Sequence, residues 1–208
     1  HGMTVGEFAL MINGEGWLND GLTCDLTVIR CENYTHDSTY ILPIRPSPNL
    51  PNQTSIYLYP SLGFFEGTVI SVGRGTDFPF QVFGHPKLPY SSFQFTPESR
   101  PEASRTPPLL GEKCHGVDLR EYKHEYFINR GSINLEWIIY AYRSFPDKDR
   151  FFNAYFNLLA GNNQLKEQIE AGLSPDEIAE TWRDDINNFM AIREKYLLYP
   201  DFTKPTNE

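Results

Sequence analysis

The chain has 208 residues, of which 40% are apolar and 22% charged, and its formal net charge is -9. That length and composition suit a packed globular domain and exclude a disordered chain, and no run of eighteen apolar residues offers a membrane span. The acidic balance argues against a nucleic-acid partner, which calls for a basic patch to neutralise phosphates.

The first predicted element is a short amphipathic helix over Met3 to Asn13. Thr4 and Glu7 have the spacing of a capping box, and Phe8, Met11 and Ile12 follow at helical intervals. A helix this close to residue 1 leads us to expect further polypeptide upstream, including any export signal, because no signal-peptide pattern begins at His1. Thr23 to Glu32, with Leu26 and Val28 alternating, reads as a strand. Further strands are expected at Ser55 to Tyr59, Phe78 to Phe83, Phe93 to Thr96 and Val117 to Tyr122, separated by Pro- and Gly-rich stretches such as Pro43 to Pro51 and Gly63 to Gly75. Thr96 to Gly111, with five prolines and glycines, reads as an exposed loop.

Beyond Arg130 the apolar period changes from two to 3.6. Ile133 to Ala141 and Arg150 to Ala160 read as helices, the second ending at Gly161, and Leu165 to Leu173 as a shorter one. Ser174-Pro175-Asp176-Glu177 opens a last helix with an N-cap, a first-turn proline and an N3 carboxylate. Ile178, Trp182, Ile186, Phe189 and Arg193 share its face, and Pro200 ends it. No internal repeat is visible. The expected class is α+β, with a small irregular mixed sheet or open barrel, an N-terminal helix and a C-terminal helical segment. It reads as a single domain over 1-208, mainly β and loop over 1-130 and mainly helical over 131-208.

No strong catalytic motif is present. His36, His85, His115 and His124 are scattered and read as structural or surface histidines. Cys24, Cys31 and Cys114 have no metal-ligand spacing and read better as small buried apolar residues than as a disulfide pair plus a free thiol. Two turn-rich segments carry charge: Arg45 to Pro51, and Phe65 to Thr76. Gly73 and Gly75 flank Arg74, leaving a planar guanidinium that suits a carboxylate ligand. Equally, Arg74 pairs with Glu66 or Asp77 to hold its own loop. Glu66 reads as a plain loop anion or as a desolvated acid.

These same residues carry a resemblance. Arg-Pro-Ser-Pro-Asn-Leu-Pro at 45-51, Tyr-Pro at 59-60, Phe-Glu-Gly-Thr at 65-68, Ser-Val-Gly-Arg-Gly-Thr at 71-76 and Pro-Phe at 79-80 resemble the signature of the NamZ exo-β-N-acetylmuramidase family. Gly-Met-Thr-Val-Gly-Glu at 2-7, Cys-His-Gly-Val at 114-117, Leu-Ala-Gly at 159-161, the Ser174 helix start, Trp182 and Tyr-Leu-Leu-Tyr at 196-199 also fit, in order.

The resemblance implies a bacterial cell-wall glycoside hydrolase that releases terminal N-acetylmuramic acid from the non-reducing end of peptidoglycan fragments, without metal or organic cofactor. It implies two domains, a Rossmann-like N-terminal one with the main catalytic carboxylate and a partly barrel-like C-terminal one. The chain reads as the C-terminal one, partnered by the N-terminal domain it lacks and inactive by itself, with a periplasmic or cell-surface address. The lactyl carboxylate of the sugar calls for a guanidinium clamp, first Arg74 and second Arg45. Asn49, Ser47, Thr76 and Thr68 are candidate polar contacts, Tyr59 a candidate wall, and Glu66 a candidate catalytic or positioning carboxyl. Two other readings stand beside this one. A non-catalytic carbohydrate-binding domain would use the same loops, and a docking module would show an apolar patch around Phe64 to Arg74.

Overall fold

A computed structural model of the chain describes residues 1-203. It is α+β, with eight helices and one three-stranded sheet among the described residues. No described helix is long and apolar enough to cross a membrane. Two compact units part at Tyr40/Ile41 and Ala179/Glu180. The expected change of character at residue 130 appears instead as the end of a helix, since residues 1-130 already hold three helices and all three strands.

One unit comprises residues 1-40 and the chain from Glu180 onward. It opens with α1 (Val5–Gly14), capped as the sequence predicts: the Glu7 amide donates to Thr4 Oγ1 at 3.3 Å and the Thr4 amide to Glu7 Oε2 at 2.7 Å. The Glu7 side chain is fully buried, and its Oε1 accepts from the Leu198 amide and bonds His36 Nε2. Burial pushes this carboxyl up, but the hydrogen bonds from Thr4, Leu198 and His36 outweigh it and hold the group below its ordinary value. α8 (Arg183–Glu194) carries Arg193, whose guanidinium is buried, takes both carboxylate oxygens of Asp201 at 2.6 and 2.7 Å, and donates to the Gly2 carbonyl. Residues 23-32, expected as a strand, belong to no sheet.

The other unit, Ile41–Ala179, begins with α2 (Gln53–Leu62), α where a strand is expected at Ser55 to Tyr59. Asn52 caps it by accepting from the Ser55 amide at 3.0 Å, and the buried positions Ser55, Leu58, Ser61 and Leu62 fall at helical spacing. A 3-10 turn over Gly63–Gly67 follows. A Cβ on Gly67 would lie 2.4 Å from Phe156 Cα, so glycine here lets α5 (Phe156–Ala160) approach. The predicted helix from Arg150 is α only from Phe156. Phe151 to Asn153 run alongside Gly67 to Val69, with the Val69 amide donating to the Phe151 carbonyl and the Asn153 amide to the Gly67 carbonyl, which removes those groups from a helix.

The sheet is open and antiparallel throughout, in the order β1 (Val82–His85), β3 (Cys114–Asp118), β2 (Gln94–Phe95). All of β1 is buried, and Phe83 stacks on Phe65 with ring centroids 4.8 Å apart. α3 (His124–Arg130) was not anticipated, and it closes on left-handed Gly131. α4 (Glu136–Ser144) turns Trp137, Ile138, Ile139 and Ala141 inward, and α6 (Gln164–Glu170) buries Leu165 and Ile169. The last predicted helix divides into α7 (Pro175–Glu180) and α8, the break falling where the chain passes from one unit to the other.

Candidate functional site

The Phe65–Thr76 segment is held from within. Gly73 and Gly75 adopt φ of 76° and 84°, and a Cβ on Gly75 would lie 2.5 Å from the Glu98 carbonyl oxygen. The glycines therefore admit a neighbouring loop as well as a sharp bend. Thr76 Oγ1 donates to the Gly73 carbonyl at 2.6 Å and accepts from the Phe78 amide. Arg74 Nε and Nη2 both donate to Glu66 Oε1, at 3.1 and 2.6 Å, and the guanidinium lies 4.9 Å from the Phe80 ring centroid. Of the partners weighed from sequence, Glu66 is the one Arg74 takes, and Asp77 pairs instead with Arg100 at 3.0 Å. Tyr59 sits edge-on to the same Phe80 ring, and Thr68 Oγ1 is occupied by the Phe65 carbonyl and the Ile70 amide. Phe65 is buried, and among the described residues no large apolar side chain between Phe64 and Arg74 is exposed.

The Arg45–Pro51 loop is pinned by Asn49. Its amide donates to Ser47 Oγ, and its Nδ2 reaches 54 residues along the chain to the Ala103 carbonyl at 3.1 Å. The Ala103 turn is itself closed by reciprocal 2.8 Å bonds between Arg100 and Ser104. The three loops thus gathered enclose about 380 Å³, bounded by Arg45, Pro48, Pro51, Thr76, Asp77 and Arg100 among others. Arg45 and Thr76, singled out from sequence, meet here; Glu66, Arg74, Thr68, Tyr59, Ser47 and Asn49 lie outside the lining. Arg100 and Glu102 are charged lining residues that sequence reasoning missed, because they sit in a stretch legible only as a loop.

The polar atoms of this region are incompletely matched. Arg100 Nη1 meets Asp77, whose side chain is 79% exposed, while the buried Nε has no hydrogen-bond partner among the described residues, nor has Asn49 Oδ1. The lining carries two guanidiniums, Arg45 and Arg100, and two carboxylates, Asp77 and Glu102; Asp77 is taken by Arg100, so among the described residues Arg45 is the lining cation with no ion pair, and prolines supply apolar walls. Among the described residues no three His, Cys, Asp or Glu side chains converge as metal ligands. His85 is buried, which pushes its pKa down, and its Nδ1 accepts from the Lys87 amide. Cys24 and Cys31 are exposed, contrary to their reading as buried residues, because the segment that carries them has no sheet over it; Cys114 is buried.

Residues 57-199 match the family described as "Exo-beta-N-acetylmuramidase NamZ, C-terminal", and residues 1-54 match its "N-terminal" counterpart. The chain is therefore more than a C-terminal half, and Arg45 falls in the N-terminal match while Thr76 and Arg100 fall in the other. It is 33% identical, over 96% of its length, to the peptidoglycan β-N-acetylmuramidase NamZ of Bacillus subtilis (strain 168), and spans about half (50%) of that relative. A solved DUF1343 family protein of Bacteroides fragilis superposes with a TM-score of 0.93 at 51% identity, over 97% of this chain and 57% of the other. A second from the same organism shares the fold at 23% identity and a TM-score of 0.65, over 95% of this chain and 56% of its own. By these matches the chain belongs to the NamZ exo-β-N-acetylmuramidase family.

Proposed function

We propose that the chain provides the substrate-binding part of a peptidoglycan glycoside hydrolase that releases N-acetylmuramic acid from non-reducing ends, acting outside the cytoplasmic membrane. The observation that carries this reading is the cavity with Arg45 and Arg100 on its wall. Muramic acid differs from glucosamine by its lactyl ether, and the carboxylate of that ether is what a guanidinium recognises. In this reading Arg45 and the part of the Arg100 guanidinium that Asp77 leaves open share the carboxylate, and Thr76 on the lining meets a hydroxyl. Arg74 serves differently from its first reading as the clamp. Glu66 holds it against Phe80, outside the cavity lining. The isolated chain binds sugar without turnover, the main catalytic carboxylate lying in polypeptide beyond these 208 residues.

The test is calorimetric titration of the 208-residue chain with N-acetylmuramic acid and with N-acetylglucosamine. Muramic acid binds and glucosamine binds more weakly. Arg45→Ala and Arg100→Ala each reduce muramic acid affinity roughly 10- to 100-fold, the equivalent of one desolvated charge-assisted hydrogen-bond pair, and leave glucosamine unchanged. Equal affinity for both sugars would overturn the reading.

A further inference from the structure

The cavity carries an anion of its own on one of its cations. Arg45 and Arg100 are balanced by Asp77 and Glu102, so the charged lining is neutral as a whole. Asp77 Oδ1 lies 3.0 Å from Arg100 Nη1, a place where a ligand carboxylate would otherwise bind, whereas Glu102 makes no ion pair among the described residues. The two members of the Asp77–Arg100 pair differ in freedom. The backbone on either side of Asp77 is held, because Thr76 Oγ1 donates to the Gly73 carbonyl at 2.6 Å and accepts from the Phe78 amide. The Asp77 side chain itself is 79% exposed, so rotation about two bonds carries its carboxylate into water. Arg100 has no such freedom: its backbone exchanges 2.8 Å bonds with Ser104, and its Nε is buried.

We propose that Asp77 is a built-in competitor for the carboxylate of the sugar, holding Arg100 until muramic acid binds and then yielding it. This rests on the functional reading above. Two carboxylates on one guanidinium repel each other, and the one on the freely rotating, exposed side chain is the one displaced. The competitor is part of the chain, so its effective concentration at Arg100 is high whatever else is dissolved around it. A small free carboxylate such as lactate offers Arg100 only what Asp77 already supplies. Muramic acid brings the same group together with a contact to Arg45 and a sugar ring for the proline walls, and those contacts offset the loss of the internal pair. A neutral sugar leaves the pair in place and bears no such cost. The same competition favours departure of the cleaved sugar, because Asp77 returns to Arg100 as the carboxylate leaves.

The experiment is calorimetric titration of the 208-residue chain and of its Asp77→Asn and Glu102→Gln variants with N-acetylmuramic acid and with N-acetylglucosamine. Asparagine keeps the size of Asp77 and one acceptor oxygen while removing the charge. Asp77→Asn binds muramic acid about 5-fold more tightly, the scale of one exposed ion pair, and binds glucosamine as before. Glu102→Gln takes the same charge from the same lining without releasing a guanidinium, and gains less than about 2-fold, since solvent screens an exposed charge that touches no partner. Unchanged or weaker muramic acid binding by Asp77→Asn overturns the proposal, the weaker result meaning that Asp77 orients Arg100 for the ligand. Equal gains in the two variants overturn it as well, because the charge count of the lining would then suffice. A wild-type preference for muramic acid over glucosamine upholds the functional reading whichever of these is found, and a wild type without that preference overturns both, so the two failures are told apart.

Discussion

Replacing Asp201 by Asn tests the electrostatic account of the unit that contains α1 and α8. The carboxyl is held at about 2, against an ordinary 3.8, first by its hydrogen bonds to Arg193, which outweigh the opposing effect of burial. That drop corresponds to about 2.4 kcal/mol of preference for the ionised form in the folded state. Asp201 is 38% exposed, so screening by solvent reduces the usable part to about 1-1.5 kcal/mol. Because the folded value is depressed, the stabilisation is complete above pH 4 and fades as pH falls towards 2. Asp201→Asn therefore lowers stability at pH 7 by about that amount and approaches wild type at pH 2. Other depressed carboxyls, including Glu7, weaken over the same range in both proteins, so the difference between the two isolates Asp201. Urea unfolding with 5-fluorotryptophan incorporated, read by fluorine NMR, separates Trp17 and Trp182 of this unit from Trp137 of the other. A stability difference that stays constant from pH 5 to 2.5, or is absent at pH 7, would refute the reasoning.

Three further outcomes are expected. In Gly116→Ala the new Cβ would lie 2.0 Å from the Phe83 carbonyl oxygen across β1 and β3, and the strands must part to admit it; the cost of about 3 kcal/mol or more is read from thermal unfolding, and an unchanged midpoint would contradict the sheet register. Cys114, whose thiol burial pushes up to about 12, stays inert to a disulfide reagent at pH 8 while the exposed Cys24 and Cys31 react; three thiols titrating in the native protein would be inconsistent with the core described. Ser174→Ala removes the acceptor for the Glu177 amide and the hydroxyl that meets Glu177 Oε2, and costs about 1 kcal/mol in urea unfolding.

The helix starts at Thr4 and Ser174 were legible because a capping box joins residues three apart and leaves its pattern in the chain. Where a pattern is short, it misleads. Ile56 and Leu58 alternate as a strand would, yet the deciding signal, the Asn52 cap, lies outside that window. Residues 23-31 show the converse, a strand pattern with no ladder to join, since pairing is a property of two segments.

At the site, the sequence alone determined the family and the local turn chemistry: where glycine must bend, and which loops carry arginine. Only the tertiary structure decided how those groups pair. It gave Arg74 to Glu66, gave Asp77 to Arg100, and used Asn49 to draw a turn 54 residues away against the Arg45 loop. Turn and cap preferences act within a few residues and are written in neighbouring letters. The partners of a guanidinium are chosen by the packing of segments far apart in the chain, and no local spacing encodes that choice.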